Sequence, residues 1–193
     1  MRQDFTRLNF GWWGYWAPGT QPDMLEYGTS RAAAWDCPVT ITTTLDRYRA
    51  HPRTPDNLEV MRRWEEVRRT NWLSDEQKEM LKDLSQEHIL LINEQGEFEL
   101  LPYRQIKTCE GVRAFLFERN GQSCVVYWHE SGEGTLKLPG RDIAGIQCEL
   151  GGEDLPIQTE EGAALIPVSA RKYAFFRCSA KDAEAAFEQA ELV

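Results

Sequence analysis

The sequence predicts an α+β chain: a short β/α segment over residues 1–88, then an antiparallel β-sandwich over residues 89–193 with a C-terminal helix. Three observations predict it. Two β-prone runs near the N-terminus are each followed, through a loop, by a helical pattern, and that alternation builds a parallel sheet with helices packed outside. After about residue 88 the β-prone runs follow one another closely across Gly, Pro and acidic turns, which indicates an antiparallel sandwich or barrel. Ser179 then precedes an Ala-rich run with Ala183, Ala186, Phe187 and Ala190 on one face, a capped closing helix through Glu191.

In chain order, residues 8–16 read as a strand dense enough in apolar residues to be buried on both sides. Ala17-Pro18-Gly19 breaks it. Residues 21–36 read as a helix that Asp23 can cap, with Gly28 as a weak point inside it and Cys37-Pro38 as its stop. Residues 39–45, VTITTTL, are strongly β-prone. RYRAHPRT reads as a loop, after which Thr54 caps a helix with Pro55 at its first position. Leu58, Met61, Trp64 and Val67 lie along one side of that helix at spacing three. Ser74 and Gln77 form a capping box for a second helix, whose apolar stripe is Met80, Leu81 and Leu84.

The β-prone runs of the second part are residues 89–93, 97–101, 112–118, 124–129, 135–138, 143–150, 155–159, 163–168 and 173–178. The first two flank Glu94-Gln95-Gly96, and acidic residues from Glu94 to Glu99 decorate that exposed hairpin. The next two flank Asn120-Gly121, the strongest short hairpin signal. Tyr127 and Trp128 alternate along a strand, so one is expected to face the core and the other outward.

Composition narrows the function classes. The chain has 193 residues, one large domain or two small ones. Its net charge of −9 argues against a nucleic-acid partner, whose phosphates call for a basic surface. From Thr108 onward there are eight basic and fourteen acidic residues, so the β part carries most of the negative charge. MRQDFTRLNF lacks the apolar stretch of a secretory signal, and no apolar run approaches membrane-spanning length. Five widely spaced cysteines without a C-x-x-C pair indicate reduced thiols and a cytoplasmic setting rather than zinc or a disulfide framework. His51, His88 and His129 are scattered, His51 reads as solvated before Pro52, and His129 lies at a strand end with little expectation of a role. No metal and no cofactor is expected. G-x-S-x-G, P-loop and G-x-G-x-x-G motifs are absent.

The most informative stretch is residues 10–38, FGWWGYWAPGTQPDMLEYGTSRAAAWDCP. It holds four of the seven Trp and two of the six Tyr, together with Asp23, Glu26 and Arg31. Aromatic faces beside carboxylates suit a carbohydrate: sugar C–H faces pack on rings, and carboxylates bond hydroxyls or attack the anomeric carbon.

The portion GYWAPGTQPDMLEYGTSRAAAWDCPVTI, with the weaker phrases VRAFLFERNGQSCVVYWHESGEGTLKLP and SARKYAFF, resembles the C-terminal portion of (β/α)8-barrel glycoside hydrolases. Such enzymes often end in a small antiparallel β-sandwich. The resemblance implies that residues 8–16 and 39–45 correspond to the seventh and eighth barrel strands, and the helix from Pro55 to the last barrel helix. Functional residues of a barrel sit at the C-terminal ends of strands and in the loops after them. That selects Trp13, Tyr15 and Trp16, then Asp23, Glu26 and Tyr27, then Asp46, Arg47, Tyr48 and His51. Asp23 and Glu26 are the candidate carboxylate catalysts, although Asp23 reads equally well as a helix cap. Tyr15, Trp16, Tyr27 and Arg31 are the candidate substrate contacts, with Trp12 and Trp13 closer to core and Arg31 doubling as a salt-bridge partner.

A full barrel needs about 250 residues and eight strands, and two strands are visible here. A strand so close to Met1 fits a truncated or split gene. The expected function is therefore a C-terminal fragment or subunit of a carbohydrate-active glycoside hydrolase that is inactive alone, so enzyme status stays open. The alternative is a non-catalytic sugar-binding or protein-interaction module. A partner chain, or self-association, would complete the barrel.

Overall fold

A computed structural model describes residues 12–13, 17, 19–93, 95–140 and 142–193, with Trp12 and Trp13 described by backbone alone. The chain divides into two compact units, Met1–Leu100 and Leu101–Val193. It is mixed α and β, built mostly from antiparallel sheet, with a helix near its C-terminus.

The first unit opens on a parallel pair. Trp12–Trp13 (β1) lies beside Thr40–Ile41 (β2), with Trp12 opposite Thr40 and Trp13 opposite Ile41. Pro22–Ala34 (α1) connects them, as a parallel pair requires. Of the strand expected over residues 8–16, only Trp12 and Trp13 carry a described strand assignment, and the remainder lies outside the described residues. The run over residues 39–45 shortens to Thr40–Ile41, because Thr44 turns its hydroxyl to a helix start instead of a ladder. That helix, Leu45–Ala50 (α2), replaces the expected loop, with Thr44 Oγ1 accepting from the Arg47 N–H at 3.3 Å.

α1 runs unbroken through Gly28. Its N-cap is Gln21, and Asp23 sits in the first turn, where a carboxylate meets the positive end of the helix dipole. Asp23 is therefore not the cap. The helix stops at Ala34, and Asp36 takes a left-handed φ of 53° before Pro38. Thr54–Arg69 (α3) is capped by Arg53 rather than by Thr54, whose hydroxyl donates instead to the Tyr48 carbonyl at 2.7 Å, so Pro55 falls at the second helical position, still within the first turn where proline is tolerated. Its buried apolar face is Val60, Trp64 and Val67, while Leu58 and Met61 are only partly buried. Residues spaced strictly by three drift around a 3.6-residue helix, so the core takes the i, i+4, i+7 set.

Asp75–Lys82 (α4) shows both halves of the capping box: Gln77 N–H donates to Ser74 Oγ at 3.2 Å, and Ser74 N–H to Gln77 Oε1 at 2.9 Å. Ser74→Ala should cost about 1 kcal/mol, read as a lower urea midpoint with an unchanged m-value. Of the expected stripe only Leu81 is buried, since α4 ends at Lys82 and leaves Leu84 exposed beyond it. Leu25, Val60, Trp64, Val67, Leu73, Leu81 and Leu90 form the core of this unit. Glu87–Ile92 (β3) and the start of Phe98–Ile106 (β4) form a hairpin closed by Asn93 N–H donating to Glu97 O at 2.9 Å.

The second unit is a two-sheet sandwich. Its strands are the remainder of β4, Val112–Arg119 (β5), Gln122–His129 (β6), Gly134–Pro139 (β7), Ile143–Cys148 (β8), Gln158–Glu160 (β9), Ala163–Val168 (β10) and Lys172–Phe176 (β11). One sheet runs β4-β5-β6-β11-β8. The other runs β12-β7-β10-β9, where β12 is Glu191–Leu192. Asn120 and Gly121 take φ of 52° and 75°, the two left-handed residues of a tight hairpin turn, and set Arg119 opposite Gln122. Ala180–Glu188 (α5), capped by Ser179, buries Ala183 and Phe187. It ends before the expected Glu191, which joins β7 as strand.

The sandwich core takes Ala114, Leu116, Val125 and Tyr127 from one sheet, Leu136, Leu138 and Ile166 from the other, and Phe187 from α5. Tyr127 and Trp128 do point to opposite faces, yet both are fully buried. The reverse face of the β5–β6 sheet carries Tyr103, Phe115 and Trp128 in a row: Tyr103 stacks on Phe115 at 4.8 Å and Phe115 on Trp128 at 5.5 Å, nearly parallel.

Candidate functional site

The loops that follow parallel strands are where a β/α fold collects chemistry. Here residues 19–21 lead into α1, which follows β1, and a second connection runs from β2 through α2 into α3. Asn57, fully buried on α3, donates from Nδ2 to the carbonyl of Thr20, just before α1, at 3.1 Å. Around that bond gather buried polar groups that start the two helices, Thr20 and Gln21 on one side, His51, Arg53 and Asp56 on the other. His51 is not solvated as its place before Pro52 suggests. Its Nδ1 accepts from the Arg53 N–H at 3.1 Å, and that bond folds the turn inward. Arg53 and Asp56 form a buried ion pair at 3.4 Å.

Asp23 lies in the first turn of α1, two residues after Gln21. Its charge bears on Glu87 of β3, whose carboxyl is pushed above its ordinary range first by burial and second by Asp23. Glu87 escaped the sequence reading, since a lone Glu opening a strand carries no motif.

Glu26 points elsewhere. It is 2% exposed, and its Oε1 accepts from Trp64 Nε1 and from the Leu90 N–H, each at 2.9 Å. One carboxylate thus ties α1 to α3 and to β3. Arg31, 4% exposed, donates through Nη2 to the carbonyls of Asp83 and Gln86 at 2.8 and 2.9 Å, and through Nη1 to Ser30 Oγ at 3.2 Å. Its guanidinium lies 4.6 Å over the Tyr27 ring, which is partly open to solvent. Lys82 covers the exposed Trp35 ring in the same way at 4.3 Å. Arg31 therefore binds backbone carbonyls rather than a carboxylate.

Of the sequence-selected residues, Asp23, Glu26, Tyr27 and Arg31 all sit on α1, and Asp23 alone of these lies in its first turn. Tyr15 and Trp16 lie outside the described residues. Asp46 and Arg47 are exposed on α2. His129 caps a turn, its Nδ1 accepting from the N–H groups of Ser131 and Gly132 at 3.2 and 2.9 Å. Among the described residues no cluster of His, Cys, Asp or Glu has the arrangement of a metal site, and no helix is long and apolar enough to cross a membrane. All five cysteines are free, and burial pushes the Cys124 thiol up to about 11.

No family model and no curated protein matches the chain. Solved structures similar to part of it are glycoside hydrolases. An alpha-galactosidase I from Mortierella vinacea shares 13% identity at a TM-score of 0.31, covering 84% of this chain and 37% of that one. An alpha-amylase from Anoxybacillus shares 11% at 0.29, covering 79% and 33%. A Bacteroides fragilis protein assigned as an alpha-galactosidase/melibiase shares 6% at 0.34, covering 82% and 29%. The chain thus spans about a third of the length of these proteins, and likenesses with TM-scores this low carry no argument about its activity.

Proposed function

We propose that this chain is the C-terminal fragment or subunit of a carbohydrate-active glycoside hydrolase, with a β/α segment over residues 1–88 and a β-sandwich over residues 89–193. The observation that carries the reading is the meeting of two loops after parallel strands, joined by Asn57 and Thr20 and lined by buried His51, Arg53 and Asp56. That is one wall of a barrel-type site. Asp23 faces the ligand as its carboxylate, with Tyr27, Tyr15 and Trp16 as sugar-stacking rings. Glu26 and Arg31 hold α1 in place behind them. The opposite walls come from a partner chain or a second copy. A cytoplasmic setting fits the free thiols, and the net charge of −9 speaks against nucleic acid.

A second reading, a non-catalytic sugar-binding module, draws on Glu26. One of the two carboxylates selected from the sequence is buried and already engaged by Trp64 and Leu90, which leaves Asp23 alone of that pair where glycoside hydrolysis uses two.

The pure 193-residue chain should hydrolyse no aryl glycoside, yet its Trp fluorescence should respond to an oligosaccharide panel at millimolar concentration. Measurable hydrolysis removes the claim that the chain is inactive alone. No fluorescence response to any sugar removes both readings.

A further inference from the structure

We propose that His88 and Arg31 form an acid-sensitive latch on the segment joining α4 to β3. The inference is independent of the sugar reading. Arg31 reaches from α1 and holds this segment at two points, the carbonyls of Asp83 and Gln86. The guanidinium is buried, and no carboxylate within salt-bridge distance balances it among the described residues. Two residues after the second held carbonyl comes His88, 2% exposed on a strand that packs against α1, with no hydrogen-bond partner for its Nδ1 among the described residues. A neutral imidazole is tolerated there. A protonated one places a second buried cation in the field of the first.

The surrounding charges fix the direction. α1 contributes Asp23, Glu26 and Arg31, α3 contributes Glu59 and Arg63, and the hairpin partner β4 carries Glu99, with Glu97 just before it. Glu26 is occupied by Trp64 and Leu90, and Glu59 by Arg62 and Arg63. Asp83, after α4, is the counter-charge acting on His88, and it is exposed to solvent. Burial and then Arg31 lower the His88 pKa, and Asp83 offsets only part of this.

A base whose folded pKa lies below its unfolded value contributes stability that is complete above the unfolded pKa, about 6.5 for histidine. That stability is lost as pH falls from there toward the folded value. Protonated His88 is hydrated only when the segment leaves α1, so acid breaks the two Arg31–carbonyl bonds. One linked proton multiplies the open population by up to about tenfold per pH unit across that window. Glu87 works the other way: its carboxyl is raised by burial and Asp23, so its protonation favours the closed form.

The test has two arms. The chain has only three histidines, so ring-proton NMR of the wild type follows His88 directly. It is expected to titrate below the range of an exposed histidine, and titration at or above about 6.5 overturns the latch. Hydrogen exchange of residues 83–88, corrected for intrinsic rates, is expected to lose several-fold of its protection between pH 7.5 and pH 5. Glu87→Gln should steepen that loss and His88→Gln should abolish it. Equal protection at both pH values, or an unchanged pH dependence in His88→Gln, overturns the proposal. If His88→Gln fails to fold, the wild-type titration and exchange decide alone.

Discussion

Glu26→Ala should destabilise the first unit by about 2–5 kcal/mol, whereas Glu26→Gln should cost about 1 kcal/mol. The carboxylate accepts from the Trp64 indole and the Leu90 amide, both fully buried. Alanine leaves two buried donors with nothing to bond, and each such donor costs about 1–3 kcal/mol. Glutamine keeps an acceptor oxygen at the same reach and loses only the added strength of a charged acceptor. Urea unfolding of both variants reads the difference directly. The pair also separates two roles for Glu26. A positioning residue tolerates Gln in both stability and sugar response, while a catalytic or ligand-binding carboxylate keeps its fold as Gln and loses its function. Alanine and glutamine variants of equal stability would show that the two bonds contribute nothing.

Trp128→Ala should destabilise the second unit by about 3–5 kcal/mol, the usual range for removing a buried Trp. Trp128 is 0% exposed and stacks almost parallel on Phe115, with the Arg171 guanidinium 5.5 Å above its ring. Arg171 is itself buried and pairs with Glu149 at 3.4 Å, and Glu149 accepts a hydrogen bond from the Tyr173 hydroxyl. Removing the indole opens a cavity and strips the apolar cover from a buried charged group. Phenylalanine restores part of the ring and should recover a large share of the loss. Thermal melting of the three proteins tests this, and a Trp128→Ala loss below about 1 kcal/mol, typical of an exposed site, would show that this face is not a core.

The sandwich was largely legible because its signals are local. Asn120-Gly121 needs two left-handed residues in sequence, and no other part of the chain has to cooperate to make that turn. The Ser74–Gln77 box and Pro55 likewise act within one helical turn. The misjudged elements are those where a local preference met a longer-range demand. The Thr-rich run at residues 39–45 has high strand propensity, but among the described residues the ladder pairs Thr40 and Ile41 alone, and Thr44 is better used as a helix cap. Trp128 alternates correctly with Tyr127, yet alternation cannot report whether the second face of a sheet is covered.

The candidate site divides the same way. Residue types alone marked residues 10–38 as rich in rings and carboxylates, and the helix they start was legible from Pro22 onward. Which carboxylate turns inward was not. Glu26 and Asp23 lie three residues apart on one helix, so a small change in helix rotation exchanges their surroundings. Trp64 and Leu90, 38 and 64 residues away in sequence, settle that Glu26 is the inner one. Burial of His51 and the joining of Thr20 to Asn57 are likewise bonds between segments, invisible to any window along the chain. By itself the sequence determined turns, caps and the succession of strand and helix, because these rest on interactions within a few residues. Only the tertiary structure decided which polar groups are desolvated, because burial depends on what packs against a group and not on its neighbours in the chain.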